Sequence, residues 1–157
     1  MLRILNERVP RPPRVAGLEI RPVANMNEYI DTPYPAIGPL TTTLRRQAFA
    51  RLQALLSEPS RPTRLAVAWF QGSPVGAIEY FVGSEAAGVH GLSVQEAFQR
   101  RGIGSALLEH ACQEVKGIGV DAMVLLATTE GQLVYSRRGF GEAARFGYWY
   151  RSFQRGC

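Results

Sequence analysis

The residues whose types and spacing most clearly serve chemistry are Gln99, Arg100, Arg101, Gly102, Ile103, Gly104 and Ser105. They follow an apolar, β-branched run ending in Leu92, Ser93 and Val94, and they open a helical pattern that continues to Lys116. A strand feeding a glycine turn at a helix start suits phosphate groups. The first N–H groups of a helix have no partner within it, and the helix dipole there favours anions. Glycine lets the backbone approach a ligand where a Cβ would hold it off. With two arginines in the same turn, fixed donors and mobile cations can both meet a pyrophosphate. The stretch is therefore expected to hold a phosphate-bearing cofactor. A Rossmann dinucleotide site does not fit, because Leu107 stands where Gly-x-Gly-x-x-Gly needs its third glycine.

The elements that must position this turn follow from periodicity. Leu18 to Val23 alternates apolar and polar residues, as a first strand would. Ala24 to Leu40 is rich in turn residues and is expected to be a long loop. Leu44, Phe49, Leu52, Leu55 and Leu56 form the apolar stripe of a helix over 41–57. Three strands follow, near 65–70, 75–82 and 88–94, joined by connections short enough for an antiparallel meander. After the glycine turn, Ile103, Leu107, Leu108, Ala111, Cys112 and Val115 line one helix face, with Gly117 as the expected cap. Ala122 to Ala127 is continuously apolar, which predicts a fully buried strand parallel to the one before the turn. A short helix over 132–137 and a last strand over 145–151 complete the pattern. The fold class is α/β (α+β): a mixed, mostly antiparallel sheet with a central parallel pair and helices on both faces.

At 157 residues one domain is expected, over 17–157. Residues 1–16 carry Arg3, Arg8, Arg11 and Arg14 with Pro10, Pro12 and Pro13, and predict a basic extended arm. The net charge of +5 suits anionic ligands. No unbroken basic run is interleaved with aromatics, which argues against nucleic acid as a partner. No apolar run nears the roughly 20 residues of a membrane span, and the first residues lack a secretion signal, so no membrane is expected and the cytoplasm is the expected location. Cys112 and Cys157 offer neither metal-ligand spacing nor a case for a structural disulfide, and no metal site is expected.

Two spaced motifs inside this element order resemble the GNAT superfamily of acyl-CoA-dependent N-acetyltransferases. Gln99-Arg100-Arg101-Gly102-Ile103-Gly104 matches the family's Q/R-x-x-G-x-G/A pyrophosphate motif, and Tyr135-Ser136-Arg137-Arg138-Gly139-Phe140 matches its second signature. Ile20-Arg21-Pro22 is similar to its usual first strand, so the resemblance runs from about Leu18 to the C-terminus. It implies that the parallel pair splays into a V-shaped slot. Backbone N–H groups from Arg100 to Ser105 would hold the pyrophosphate of acetyl-CoA as cosubstrate. Leu92, Ser93 and Val94 would run beside the pantetheine arm, one N–H group there polarising the thioester carbonyl. Tyr135 would protonate the departing thiolate while a neutral amine attacks directly.

Departures from the family pattern raise questions about the base. Thr128 stands where many members carry an asparagine that contacts the cofactor; it would substitute for that contact or cap the helix. Gly88 stands where many place a glutamate base. Val89-His90-Gly91-Leu92-Ser93-Val94 is similar to the serotonin N-acetyltransferase branch, which puts a histidine at the place of His90, and the ordinary histidine pKa of about 6.5 suits a base. Glu79 on the neighbouring strand is the second candidate. Each also has a structural alternative: a strand histidine bonded to a carbonyl, and an outward residue of an alternating strand. His110 and the Arg137–Arg138 pair are expected to be solvated. The acceptor is expected to be an amine of a small molecule or a peptide, bound by the 24–40 loop and the last strand, where Tyr29, Tyr34, Tyr148 and Trp149 lie. The resemblance also admits a homodimer, a non-catalytic acyl-CoA-binding module, and acetylation of an RNA-borne amine.

Overall fold

The computed structural model describes residues 1–5, 14–23 and 62–147, with Tyr29, Gln47, Ala50, Ala54 and Glu58 as single points between them. The described strands are β1 (Leu2–Ile4), β2 (Leu18–Pro22), β3 (Thr63–Phe70), β4 (Ser73–Val82), β5 (Ala87–Val94) and β6 (Ala122–Leu125). They form one sheet in the order β1-β6-β5-β4-β3-β2, antiparallel throughout except for the β5–β6 pair. The meander and the parallel neighbour thus stand where alternation and the βαβ rule place them. Helix α1 (Ile103–Gly117) crosses β2 to β5 on one face, and α2 (Thr129–Ser136) follows β6.

Period decides which residues meet. In α1 the buried residues are Ile103, Leu107, Leu108, Ala111, Cys112 and Val115, the stripe that a 3.6-residue repeat places on one side. They pack on Ala66, Ala68, Ile78, Tyr80, Ala87, Met123 and Leu125, the inward set of the strands beneath. The left-handed cap comes two residues later than the helix's composition suggests. Gly119, not Gly117, takes the left-handed conformation (φ 85), and the bonds from Gly119 N to Lys116 O and from Val120 N to Val115 O close a Schellman motif.

The N-terminus corrects the expected arm over 1–16. Leu2–Ile4 is a strand that pairs with β6 and bridges to Gly141 on its other side. Leu and Ile alternate with Arg3, whose side chain enters the core side of the sheet: its Nη1 lies 3.0 Å from Glu109 Oε2 and 3.5 Å from Cys112 Sγ. Composition hides this, because an arginine near several prolines looks solvated. The remaining proline-rich part, 6–13, lies outside the described residues. Burial pushes the Cys112 thiol up to about 11, so it stays a neutral core group. Removing one partner of such an ion pair strands the other. Arg3→Ala is therefore expected to cost about 3 kcal/mol of stability, read as a lower urea midpoint, whereas the paired Arg3→Met/Glu109→Leu change should recover most of it.

Three other expectations change. The strand predicted over 122–127 is shorter and buried on one side only: Met123 and Leu125 face the core, while Val124 and Leu126 are 41% and 59% exposed. Among the described residues α1 covers one face at this edge, so the apolar run does not mean double burial. Residues 145–147 form no strand, and 148–151 lie outside the described residues, as do Tyr34 and most of 24–57. Tyr29, in the stretch expected to be a loop, is helical and buried, and Gln47, Ala50 and Ala54 are helical as predicted.

Candidate active site

The slot is created where two strands stop agreeing. β5 pairs with β6 only at Ala87, Gly88 and Val89, opposite Met123, Val124 and Leu125. Beyond Val89 it continues to pair with β4 down to Val94, so its other edge has no strand partner among the described residues. Between Glu79 and Tyr80 the register shifts: Glu79 faces Gly91 and Tyr80 faces Val89, which leaves His90 as the extra residue. A bulge of this kind bends its strand and increases local twist. β6 ends at Leu125, and the chain leaves through Leu126 to Thr128. An opening between parallel neighbours is the result, with Leu92, Ser93 and Val94 along one side. Gly76 keeps β4 close beneath it: a Cβ there would sit 2.7 Å from the Ser93 carbonyl oxygen.

The glycine turn lies at the end of that edge. After a 3-10 turn (Glu96–Phe98), Gln99 is extended, Arg100 is left-handed (φ 58), and Gly102 is left-handed again (φ 86) as the N-cap of α1. No side chain caps this helix start, so the N–H groups of its first turn have no capping side chain. A left-handed non-glycine residue costs about 1 kcal/mol or more, a strain that functional turns commonly carry. The two expected phosphate arginines differ. Both are exposed, but the Arg101 guanidinium lies over the Phe98 ring at 5.3 Å. Gln99 donates from Nε2 to the Val94 carbonyl at 3.1 Å and so ties the turn to the strand. Gly104 brings α1 close to β5: a Cβ there would lie 3.5 Å from Leu92 and 3.7 Å from Val94, ordinary contact distances. The seat of Arg101 on Phe98 was not anticipated. An aromatic three residues before an arginine is the only trace it leaves.

Across the opening, Thr128 caps α2, its Oγ1 accepting from Gly131 N at 3.1 Å. Of the two roles open to it, the cap is the one this geometry uses. Gly131 leaves room for the tyrosine one turn later: a Cβ there would come within 3.1 Å of the Tyr135 ring. That ring is half-buried and packs edge-on against Phe140 at 6.1 Å. Burial raises the Tyr135 pKa above the ordinary 10, so the phenol keeps its proton at neutral pH. A cavity of about 390 Å³ at the start of α2 is lined by Leu126, Thr128, Thr129, Gln132, Glu142 and Arg145, among others, and not by Tyr135. Arg145 Nε lies 2.7 Å from Glu142 Oε1, and this bond holds the Glu142 carboxyl below its usual range.

Both candidate bases share the sheet face opposite α1. His90 is exposed, and its ring leans over Gly88, where a Cβ would lie 3.9 Å from Nε2. The imidazole thus points back toward the paired end of β5. Glu79 is half-buried and stands opposite Gly91, just past the last β5–β6 pair. His110 is not solvated as expected: it is partly buried, 3.6 Å from Glu114, and burial lowers its pKa below 6.5. Among the described residues no three His, Cys, Asp or Glu side chains converge as metal ligands.

A helix start that no side chain caps thus lies beside a parallel pair that parts, and Tyr135 stands on the helix that follows β6. The Acetyltransferase (GNAT) family model matches residues 24–140, and the chain belongs to that family. No curated protein matches the sequence. Among solved structures the chain is similar to glucosamine-6-phosphate N-acetyltransferase from Arabidopsis thaliana, with a TM-score of 0.71 and 14% identity over 86% of this chain and 99% of that one. It is also similar to AAC(6')-Iy in complex with a bisubstrate analogue (TM-score 0.68, 16% identity, 87% and 99% covered). A third is the aminoglycoside antibiotic 6'-N-acetyltransferase AAC(6')-Ih from Acinetobacter baumannii (0.66, 15%, 88% and 100%). At these identities the likeness is one of fold.

Proposed function

We propose that the protein transfers acetyl from acetyl-CoA to a primary amine of a small molecule or peptide by direct attack. The observation that carries this is the parting of β5 from β6 beyond Val89, next to a helix start that no side chain caps. Acetyl-CoA fits these residues: backbone N–H groups at Gly102 to Ser105 suit its pyrophosphate, and the unpaired edge at Leu92–Val94 suits its extended arm. The thioester supplies an activated acetyl group. Structural relatives named for glucosamine-6-phosphate and for aminoglycosides support a small amino compound as acceptor.

The chain's own residues then divide the proton work. The amine nitrogen forms a bond to the acetyl carbon as the carbon–sulfur bond breaks. Tyr135 gives its proton to the leaving sulfur and is restored from solvent. The surplus proton on nitrogen passes to Glu79, which the register puts beside the vertex of the opening, while His90 leans away from it. Glu79→Gln is expected to lower kcat/KM for the acceptor about 10²-fold with acetyl-CoA affinity unchanged, and His90→Ala should leave the rate near that of wild type. The reverse pattern would move the base to His90. Thiol release measured against a panel of primary amines tests the activity. Cofactor binding without thiol release on any amine would leave a binding module instead.

A further inference from the structure

Ser93 carries a polar atom that the fold does not use. The residue is 6% exposed, and its hydroxyl oxygen is buried with no hydrogen-bond partner among the described residues. Burying a hydroxyl without a partner costs free energy that an alanine at the same place would avoid. Its surroundings explain why no partner is found. Leu92 and Val94 turn toward Gly104 of α1, so Ser93 points to the opposite face of the sheet. On that face its cross-strand neighbour is Ala77, and Val67 beyond is buried and apolar. Among the described residues, Glu79 is a polar side chain on the same face. Glu79 is two residues along β4 from Ala77, which makes it the diagonal neighbour of Ser93, with a backbone separation of about 7–8 Å. No hydrogen bond joins the two side chains, because the Ser93 hydroxyl has no partner among the described residues.

We propose that Ser93 is an acceptor-binding residue: its Oγ accepts an N–H from the incoming amine and, together with Glu79, holds the nitrogen at the slot from the face opposite α1. The proposal rests on the acetyltransfer reading above and adds where the amine is gripped. Three facts meet in it. Ser93 belongs to the strand segment whose edge β6 leaves open. Its hydroxyl faces away from the helix whose start suits the pyrophosphate. The same face carries the carboxylate that takes the amine's proton. An N–H bonded to Ser93 Oγ leaves the nitrogen lone pair free for attack, and it satisfies the hydroxyl only when the acceptor is bound.

The test is steady-state kinetics of wild type and Ser93→Ala on the best amine of the panel, with acetyl-CoA titration and thermal melting of the ligand-free proteins. Ser93→Ala is expected to raise the acceptor KM about tenfold, the worth of one lost hydrogen bond, with acetyl-CoA affinity unchanged and the melting temperature no lower than wild type. An unchanged acceptor KM in an active protein would overturn the assignment. A lower melting temperature would also overturn it, because the hydroxyl would then have a structural partner. Absence of thiol release by wild type on every amine would fail the acetyltransfer reading itself, and this inference with it.

Discussion

Replacing Tyr135 with phenylalanine is expected to lower kcat by about 10²-fold or more, the usual worth of a positioned general acid, with little change in acetyl-CoA affinity. The ring would keep its place: its packing against Phe140 and over Gly131 uses the edge and face of the aromatic, not the hydroxyl. Only the proton is lost. The sign of the pH effect follows from burial. A phenol whose pKa lies above the ordinary 10 is protonated through the neutral range, so the acid form is available until pH passes that raised value. The wild-type kcat should therefore hold into the alkaline range and fall only above pH 10. In Tyr135→Phe the residual rate should lack that alkaline limb. An unchanged kcat would remove the acid role and leave Tyr135 as packing.

The second large effect is expected at Gly102. With φ at 86, this residue sits where an L side chain is strained, and it is the cap from which α1 begins. Gly102→Val would place a β-branched side chain there, and the turn would have to move to relieve it. Because the first-turn N–H groups are aimed by this conformation, acetyl-CoA affinity should fall about 10- to 100-fold, following a strain of about 1–3 kcal/mol. The comparison residue is Gly104. A Cβ there meets Leu92 and Val94 at ordinary contact distances, so Gly104→Ala should bind acetyl-CoA nearly as well as wild type. The two glycines of one motif thus have different physical duties. One supplies a backbone conformation and the other allows close packing.

This difference shows what the sequence makes legible. A motif such as Gln99 to Gly104 is readable because backbone conformation and ligand approach dictate residue type directly. The meander and the α1 stripe are readable because alternation and the 3.6-residue repeat report which side is buried. Features that belong to two segments at once are not readable in this way. The shift that makes His90 an extra residue is a property of the β4–β5 register, and neither strand alone records it. Arg3 looks like part of a solvated arm until Glu109 is brought beside it from more than a hundred residues away. Val124 and Leu126 look fully buried because an apolar run does not say how many layers cover it. Ser93 was legible as a cofactor-edge residue through its backbone. That its hydroxyl faces the other way, into an apolar bed, follows only from the pairing with Ala77.

The central claim is that the turn from Gln99 to Ser105 and the open edge of β5 form one acetyl-CoA site. Isothermal titration of acetyl-CoA into wild type and Gly102→Val tests it most directly. Saturable binding of one acetyl-CoA per wild-type chain, and a marked loss in a Gly102→Val protein that still melts cooperatively, is the predicted result. No saturable heat from wild type at millimolar acetyl-CoA, or equal affinity in the two proteins, would contradict it.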